Sequence, residues 1–197
     1  MRAPPVNHQL TLEEYEQLEE ENQQRYEYHD GEVFAMAGAA TDVGDTVHNA
    51  VCHNLHVFLG NALRKKPCNV FTSDQKVRIK SINRSLYPDA SVTCGLVDRS
   101  EKDTKAITNP VLLVEVLSDS TEAYDRGKKF EYFSKLPSLR EYMLIEQHEP
   151  AAQIHYRTAD TDLWQITWVA GLDKTLTLQS LDIETTLREL YLKTEGL

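Results

Sequence analysis

The stretch NPVLLVEVLSDST, residues 109–121, sets a carboxylate, Glu115, inside an apolar run. Val111, Leu112, Leu113, Val114, Val116 and Leu117 read as a strand buried on both faces, so it needs cover on each side. An ionised carboxylate at its centre is costly unless something compensates it. A partner cation (Lys128, Lys129 or Arg78), a metal ion or a raised pKa would each do so.

The rest of the chain supplies the cover. Residues 11–22 read as a short amphipathic helix, with Thr11 and Glu14 spaced as a capping box. RYEYHDGEVFAMAG carries two strand-like runs around Asp30-Gly31, a strong hairpin signal. TDVGDTVHNAVCHNLHVFLGNALRKK reads as a long helix, with Val47, Val51, Leu55, Phe58, Leu59 and Leu63 at helical spacing and Pro67 as the stop. CNVFTSDQKVRIK and LYPDASVTCG each read as one strand, the second with its proline near a strand start, an edge or a bulge. After Glu115 come a helix over TEAYDRGKKFEYFSKLP, a strand over SLREYMLIEQ, a hairpin carrying Tyr156, Trp164 and Trp168, more strand, and a short helix near TTLRELYLK. This order suits an α/β (α+β) fold with a mixed central sheet flanked by helices on both faces. No linker interrupts it, so one domain over residues 1–197 is the expectation.

Composition removes some function classes. No apolar run approaches the roughly 20 residues that span a bilayer, and the first residues lack the apolar core of a secretory signal, so a cytoplasmic location without membrane partners is expected. The formal net charge of -10 argues against a protein that coats nucleic acid through bulk electrostatics. Cys52, Cys68 and Cys94 show no paired spacing and are expected as buried free thiols. His48, His53 and His56 do not share one helix face, so separate roles fit better than a zinc site. Glu32 reads as a surface strand residue, and alternation lets only one of Gln75 and Lys76 face inward.

Asp89, after Pro88, opens the strand that precedes Glu115. Two carboxylates on neighbouring strands suit a hard divalent ion such as Mg²⁺, which takes oxygen ligands. A nearby lysine would orient water and stabilise developing negative charge. Residue 117, on the same face as Glu115, is Leu, so the lysine must come from elsewhere, and Lys128 and Lys129 lie on the following helix.

The ordered series YEYHDGEV, His48, YPDA, LLVEVLS, YDRGKKFEYF and EYMLI resembles the Uma-two family of putative restriction endonucleases, within the PD-(D/E)XK nuclease superfamily. The resemblance runs from about Thr11 to Gln147. It implies a restriction-endonuclease-like core, with an N-terminal helix-hairpin and a C-terminal β-hairpin extension. It implies Mg²⁺, with Mn²⁺ as a substitute, on Asp89 and Glu115, and Lys129 as the site lysine with Lys128 its rival. Glu27 and His48 are implied as site neighbours. The superfamily's lysine two residues after the glutamate is replaced here by Leu117. DNA is the implied substrate of a metal-dependent endonuclease. The displaced lysine and the acidic charge favour a rival: a catalytically degenerate member acting as a binding or assembly module, a homo-oligomer such as a dimer.

Overall fold

The computed structural model describes residues 9–36, 46–158 and 163–194. Helix α1 (Leu12–Asn22) starts where the capping box predicts. The Glu14 N–H donates to Thr11 Oγ1 at 3.2 Å, and the Thr11 N–H donates to Glu14 Oε2 at 2.7 Å. The strands β1 (Tyr26–His29) and β2 (Glu32–Ala35) form the expected hairpin. Both turn residues are left-handed, Asp30 at φ 51° and Gly31 at φ 99°, as this two-residue turn requires. A Cβ on Gly31 would also come within 3.3 Å of the Gln9 backbone.

Helix α2 (Thr46–Leu63) buries Val51, Leu55, Leu59 and Leu63, one per turn. Arg64–Lys66 lie in the turn beyond it, and residues 41–45 of the expected helix lie outside the described residues. The two long runs taken as single strands are each divided. The stretch 73–76 separates β3 (Cys68–Thr72) from β4 (Val77–Ile79). LYPDASVTCG gives only Leu86 to β5 (Arg84–Leu86), and Tyr87-Pro88-Asp89 separates that strand from β6 (Ala90–Cys94). The halves belong to different sheets, so each break turns the chain from one layer into another. Next come β7 (Leu112–Val116), a helical arm made of α3 (Glu122–Tyr124), a wide π turn (Asp125–Lys129) and α4 (Phe130–Phe133), and β8 (Glu141–Ile145). A long hairpin of β9 (Ala151–Arg157) and β10 (Trp164–Ala170), a small one of β11 (Thr175–Leu178) and β12 (Ile183–Thr186), and α5 (Leu187–Leu190) complete the order.

The main sheet runs β10-β9-β8-β7-β6-β3, and β7 and β8 are its parallel pair. That pair needs a crossover, and the helical arm provides it. A second sheet, β2-β1-β5-β4, is antiparallel. β7 is buried along its whole length. Leu112, Val114 and Val116 face α2, α5 and the β11–β12 hairpin. Leu113 and Leu117 face Phe133 and Tyr142, together with Val77, Ile79 and Leu86 of the second sheet. Each fully buried Leu or Val contributes about 2 kcal/mol, so the strand's placement is strongly fixed. Helices therefore cover both faces of a mixed central sheet, as expected.

Cys68 and Cys94 correct the expectation of free thiols. They are partners in the β3–β6 register, with Cα atoms 4.0 Å apart, and a disulfide joins them. Strand register, not sequence spacing, brings them together. Cys52 stays free.

Candidate active site

The β6–β7 ladder pairs Ala90 with Val114. One step further along the same register, Asp89 stands opposite Glu115. β6 has ended there, and the Asp89 carboxylate continues the ladder by accepting the Val116 N–H at Oδ2, 2.8 Å away. The break at Tyr87-Pro88 thus delivers Asp89 to the carboxyl end of β7.

Glu115 lies on the face of β7 that meets the helical arm. Lys129, on the π turn, places its Nζ 2.8 Å from Glu115 Oε1 and 3.4 Å from Asp125 Oδ1. The π turn is a widened helical turn of the kind that recurs at functional sites. The Tyr142 hydroxyl, buried beneath it, donates to the Asp125 carbonyl at 2.9 Å. Lys128, the rival lysine, points away: it is exposed and pairs with Glu131 at 2.9 Å. The structure therefore brings Lys129 to Glu115 and leaves Lys128 outside. Leu117 sits in the apolar cluster beside Leu113, on the face of Glu115, as alternation requires.

His48 approaches from α2. Its Nε2 is 3.1 Å from the Val116 carbonyl oxygen and 3.4 Å from Asp89 Oδ2. Both are acceptors, so this nitrogen carries the proton, and Nδ1 faces the Cys52 thiol at 3.7 Å. Glu27 is buried on β1. It accepts the Tyr124 hydroxyl at 2.9 Å, and His29 Nε2 is 3.3 Å from the same oxygen. Arg84 in turn meets His29 Nδ1 and stacks on the Tyr132 ring, 4.0 Å from its centre. His53 and His56 lie away from this cluster, with His56 Nδ1 on the Cys52 carbonyl at 2.7 Å.

The electrostatics follow from burial and crowding. Burial opposes the Lys129 charge, yet Glu115, Asp125, Glu27 and Asp89 together hold its pKa well above the ordinary lysine value. Burial pushes Glu115 up; Lys129 opposes this, while Asp125 and Asp89 add to it. Burial also raises Asp125. At Asp89 burial is outweighed by His48, Lys129 and the Val116 N–H, which hold the carboxyl below its usual range. Burial, with Asp89 and Glu115 nearby, pushes the Cys52 thiol up, so it stays protonated. Four carboxyl groups surround one ammonium. Access is one-sided: the side chains of Asp89 and His48 are 22% and 25% exposed, against 3% for Glu115.

The donor set suits a hard divalent cation, since carboxylate oxygens dominate it. One atom each from His48, Cys52 and Asp89 also lie within 4.8 Å of one another, a grouping that includes an imidazole. Sequence reasoning missed Asp125, Tyr124 and Cys52 as members of this cluster. Asp125 had a signal: it precedes Lys129 by four residues on a predicted helix, so both face one way.

The architecture is that of a nuclease-like α+β fold. It matches the crystal structure of a protein from Anabaena variabilis ATCC 29413, described as "a putative nuclease belonging to DUF820", with a TM-score of 0.66 over 86% of this chain and 90% of that one. Sequence identity is 15%, so the match concerns the fold. The chain belongs to the Uma2 family, whose model, described as "Putative restriction endonuclease", matches residues 12–189. Two similar proteins come from Synechocystis sp. (strain ATCC 27184 / PCC 6803 / Kazusa), and both are uncharacterized. The protein slr1290 is 36% identical over 182 residues, which is 92% of this chain and 91% of its own length. The protein sll1609 is 32% identical over 162 residues, 82% of this chain and 88% of its own. Among the described residues, no helix is long and apolar enough to cross a membrane.

Proposed function

We propose that the chain acts as one domain and is a metal-dependent endonuclease that hydrolyses DNA phosphodiester bonds, with Asp89, Glu115 and Lys129 at the reacting centre. The observation that carries this is the convergence of carboxyl groups: Asp89 and Glu115 stand opposite each other in the β6–β7 register, Asp125 and Glu27 act on the same Lys129, and burial pushes Glu115 up where positive charge falls short. A cation on Asp89 and Glu115 would supply the missing positive charge. Mg²⁺, or Mn²⁺ in its place, supplies neutralisation of the phosphate and Lewis-acid polarisation of its oxygens when bound. Lys129 has a donor-only head, held in place by the widened turn. It orients the attacking water and stabilises charge that develops on the phosphoryl oxygens. His48 fixes the Asp89 carboxylate and the Val116 carbonyl through one N–H. Glu27 and Tyr124 brace the arm that carries Lys129.

One observation favours a second reading. Lys129 already lies against Glu115 at 2.8 Å, so the pair could serve as a structural brace in a catalytically silent member. Two measurements separate these readings. Calorimetric titration with Mg²⁺ and Mn²⁺ should show saturable binding that Asp89→Asn abolishes. Nicking of supercoiled plasmid should depend on the ion, and Glu115→Ala and Lys129→Gln should each remove it, the latter with ion binding retained. Absence of ion binding to the wild-type chain would overturn the proposal in favour of the silent member.

A further inference from the structure

Two sheet edges among the described residues are guarded, and that of β10 is not. The outer side of β4 is covered by Ile107: the Arg78 N–H donates to the Ile107 carbonyl and the Ile107 N–H to the Lys76 carbonyl. β2 begins on the exposed charge of Glu32. β10 closes the main sheet and has neither device. Its seven residues, WQITWVA, contain no charge, no proline and no glycine, although the chain as a whole carries -10. An uncharged, unbulged edge strand is a template for pairing with another strand.

The direction of its polar groups can be read from the ends. The Thr158 N–H donates to the Leu163 carbonyl, and the Gly171 N–H donates to the Pro150 carbonyl. Odd-numbered positions therefore turn their backbone groups toward β9. By alternation Trp164, Ile166, Trp168 and Ala170 turn theirs outward, where no described strand meets them.

We propose that this edge pairs with β10 of a second copy, antiparallel, about a two-fold axis through Thr167. The sequence is self-complementary in that register. Ile166 falls opposite the second copy's Trp168, and the reverse, so the two large exposed apolar side chains, 56% and 50% exposed, cover each other. Gln165 falls opposite Val169, Trp164 opposite Ala170, and Thr167 opposite itself. Every outward N–H and C=O then meets its counterpart. Two acidic copies repel, and this strand brings no charged side chain of its own to the contact. A contact made by one seven-residue strand from each copy is small against the roughly 1,000 Å² of a specific interface, so the dimer dissociates on dilution.

Sedimentation velocity on the full chain across the micromolar range tests this. Wild type should show a monomer–dimer equilibrium. Thr167→Lys brings two ammonium groups together at the axis and should leave only monomer, with an unchanged melting temperature. Thr167→Cys fixes the register: mild oxidation should give a covalent dimer on a non-reducing gel, because position 167 meets itself. Gln165→Cys should give none, since it faces Val169, and wild type, with Cys52 as its free thiol, is the background. A wild type that stays monomeric at every concentration overturns the proposal. So does a dimer that survives Thr167→Lys, or cross-linking through position 165 as readily as through 167.

Discussion

Two lysines are buried among carboxylates in this chain, and their surroundings differ in an instructive way. Lys76 lies 2.8 Å from Glu19 Oε2 and 2.7 Å from Asp103 Oδ2, over the Tyr15 ring at 4.6 Å. The other Glu19 oxygen accepts the Tyr15 hydroxyl, the Tyr87 hydroxyl and the Tyr26 N–H, at 3.0, 2.8 and 3.0 Å. Asp103 is fully buried. Burial and the neighbouring Asp103 push Glu16 up to about 7, so a proton takes up part of the remaining negative charge near neutral pH. This centre ties α1 to the second sheet and to the 100–107 loop, and the Lys76 and Asp103 pair at its heart is closed to solvent. The Lys129 centre has a solvent-facing side at Asp89 and His48, and its carboxyl groups outnumber the donors that reach them. A buried lysine among acids is therefore no sign of chemistry by itself. What sets the Lys129 centre apart is that two carboxyl groups, Asp89 and Glu115, meet across one strand register at an edge that solvent reaches.

The largest test of that contrast is Lys76→Met. Breaking a buried pair leaves charge uncompensated and costs about 3–5 kcal/mol. Urea denaturation should show this loss, and added Mg²⁺ or Mn²⁺ should not restore it. Next comes ligand stabilisation. A divalent ion at 100 times its Kd should raise the stability of the wild-type chain by about 2.7 kcal/mol. Asp89→Asn or Glu115→Gln should erase that gain, whereas Glu19→Gln should lower the melting temperature and keep it. A gain that survives Glu115→Gln would place the ion elsewhere.

Proton linkage gives a smaller effect. Glu16 binds its proton more tightly when folded, at about 7 against 4.5, so its stabilising contribution is complete below about pH 4.5 and is lost as pH rises through 7. Stability should fall by about 1 kcal/mol across that window, after allowance for solvent screening. Glu16→Gln should flatten the change in a series of denaturation curves. The smallest effect belongs to Lys128→Ala, whose partner Glu131 is equally exposed. Neither the denaturation midpoint nor ion binding should change, and a loss of plasmid nicking in this variant would reopen the choice between the two lysines.

The site was legible in the sequence where one residue contradicts its surroundings. Glu115 in an apolar strand, Leu117 on the same face and a lysine on the next helix define most of the cluster before any coordinates. The hairpin at Asp30-Gly31 was legible because its turn has narrow backbone requirements. The divided strands were not. Residues 68–79 contain neither glycine nor proline, and Ser73-Asp74-Gln75 turns the chain with residues that a polar strand face would also accept. Tyr87-Pro88-Asp89 did mark a break, but a break alone does not say that β5 and β6 enter different sheets. The Cys68–Cys94 bond and the Asp89–Val116 contact both depend on long-range register, which local pattern does not encode.

Asp89 takes up the hydrogen-bonding role that β6 relinquishes, so a side chain proposed to hold a cation also terminates a backbone ladder. Its acceptor oxygen lies 2.8 Å from a single main-chain nitrogen, that of Val116. Any cation that draws electron density from the carboxylate must weaken the pull on that one amide proton. The Val116 amide resonance is thus a built-in gauge of occupancy, readable by NMR without a substrate and without altering the protein.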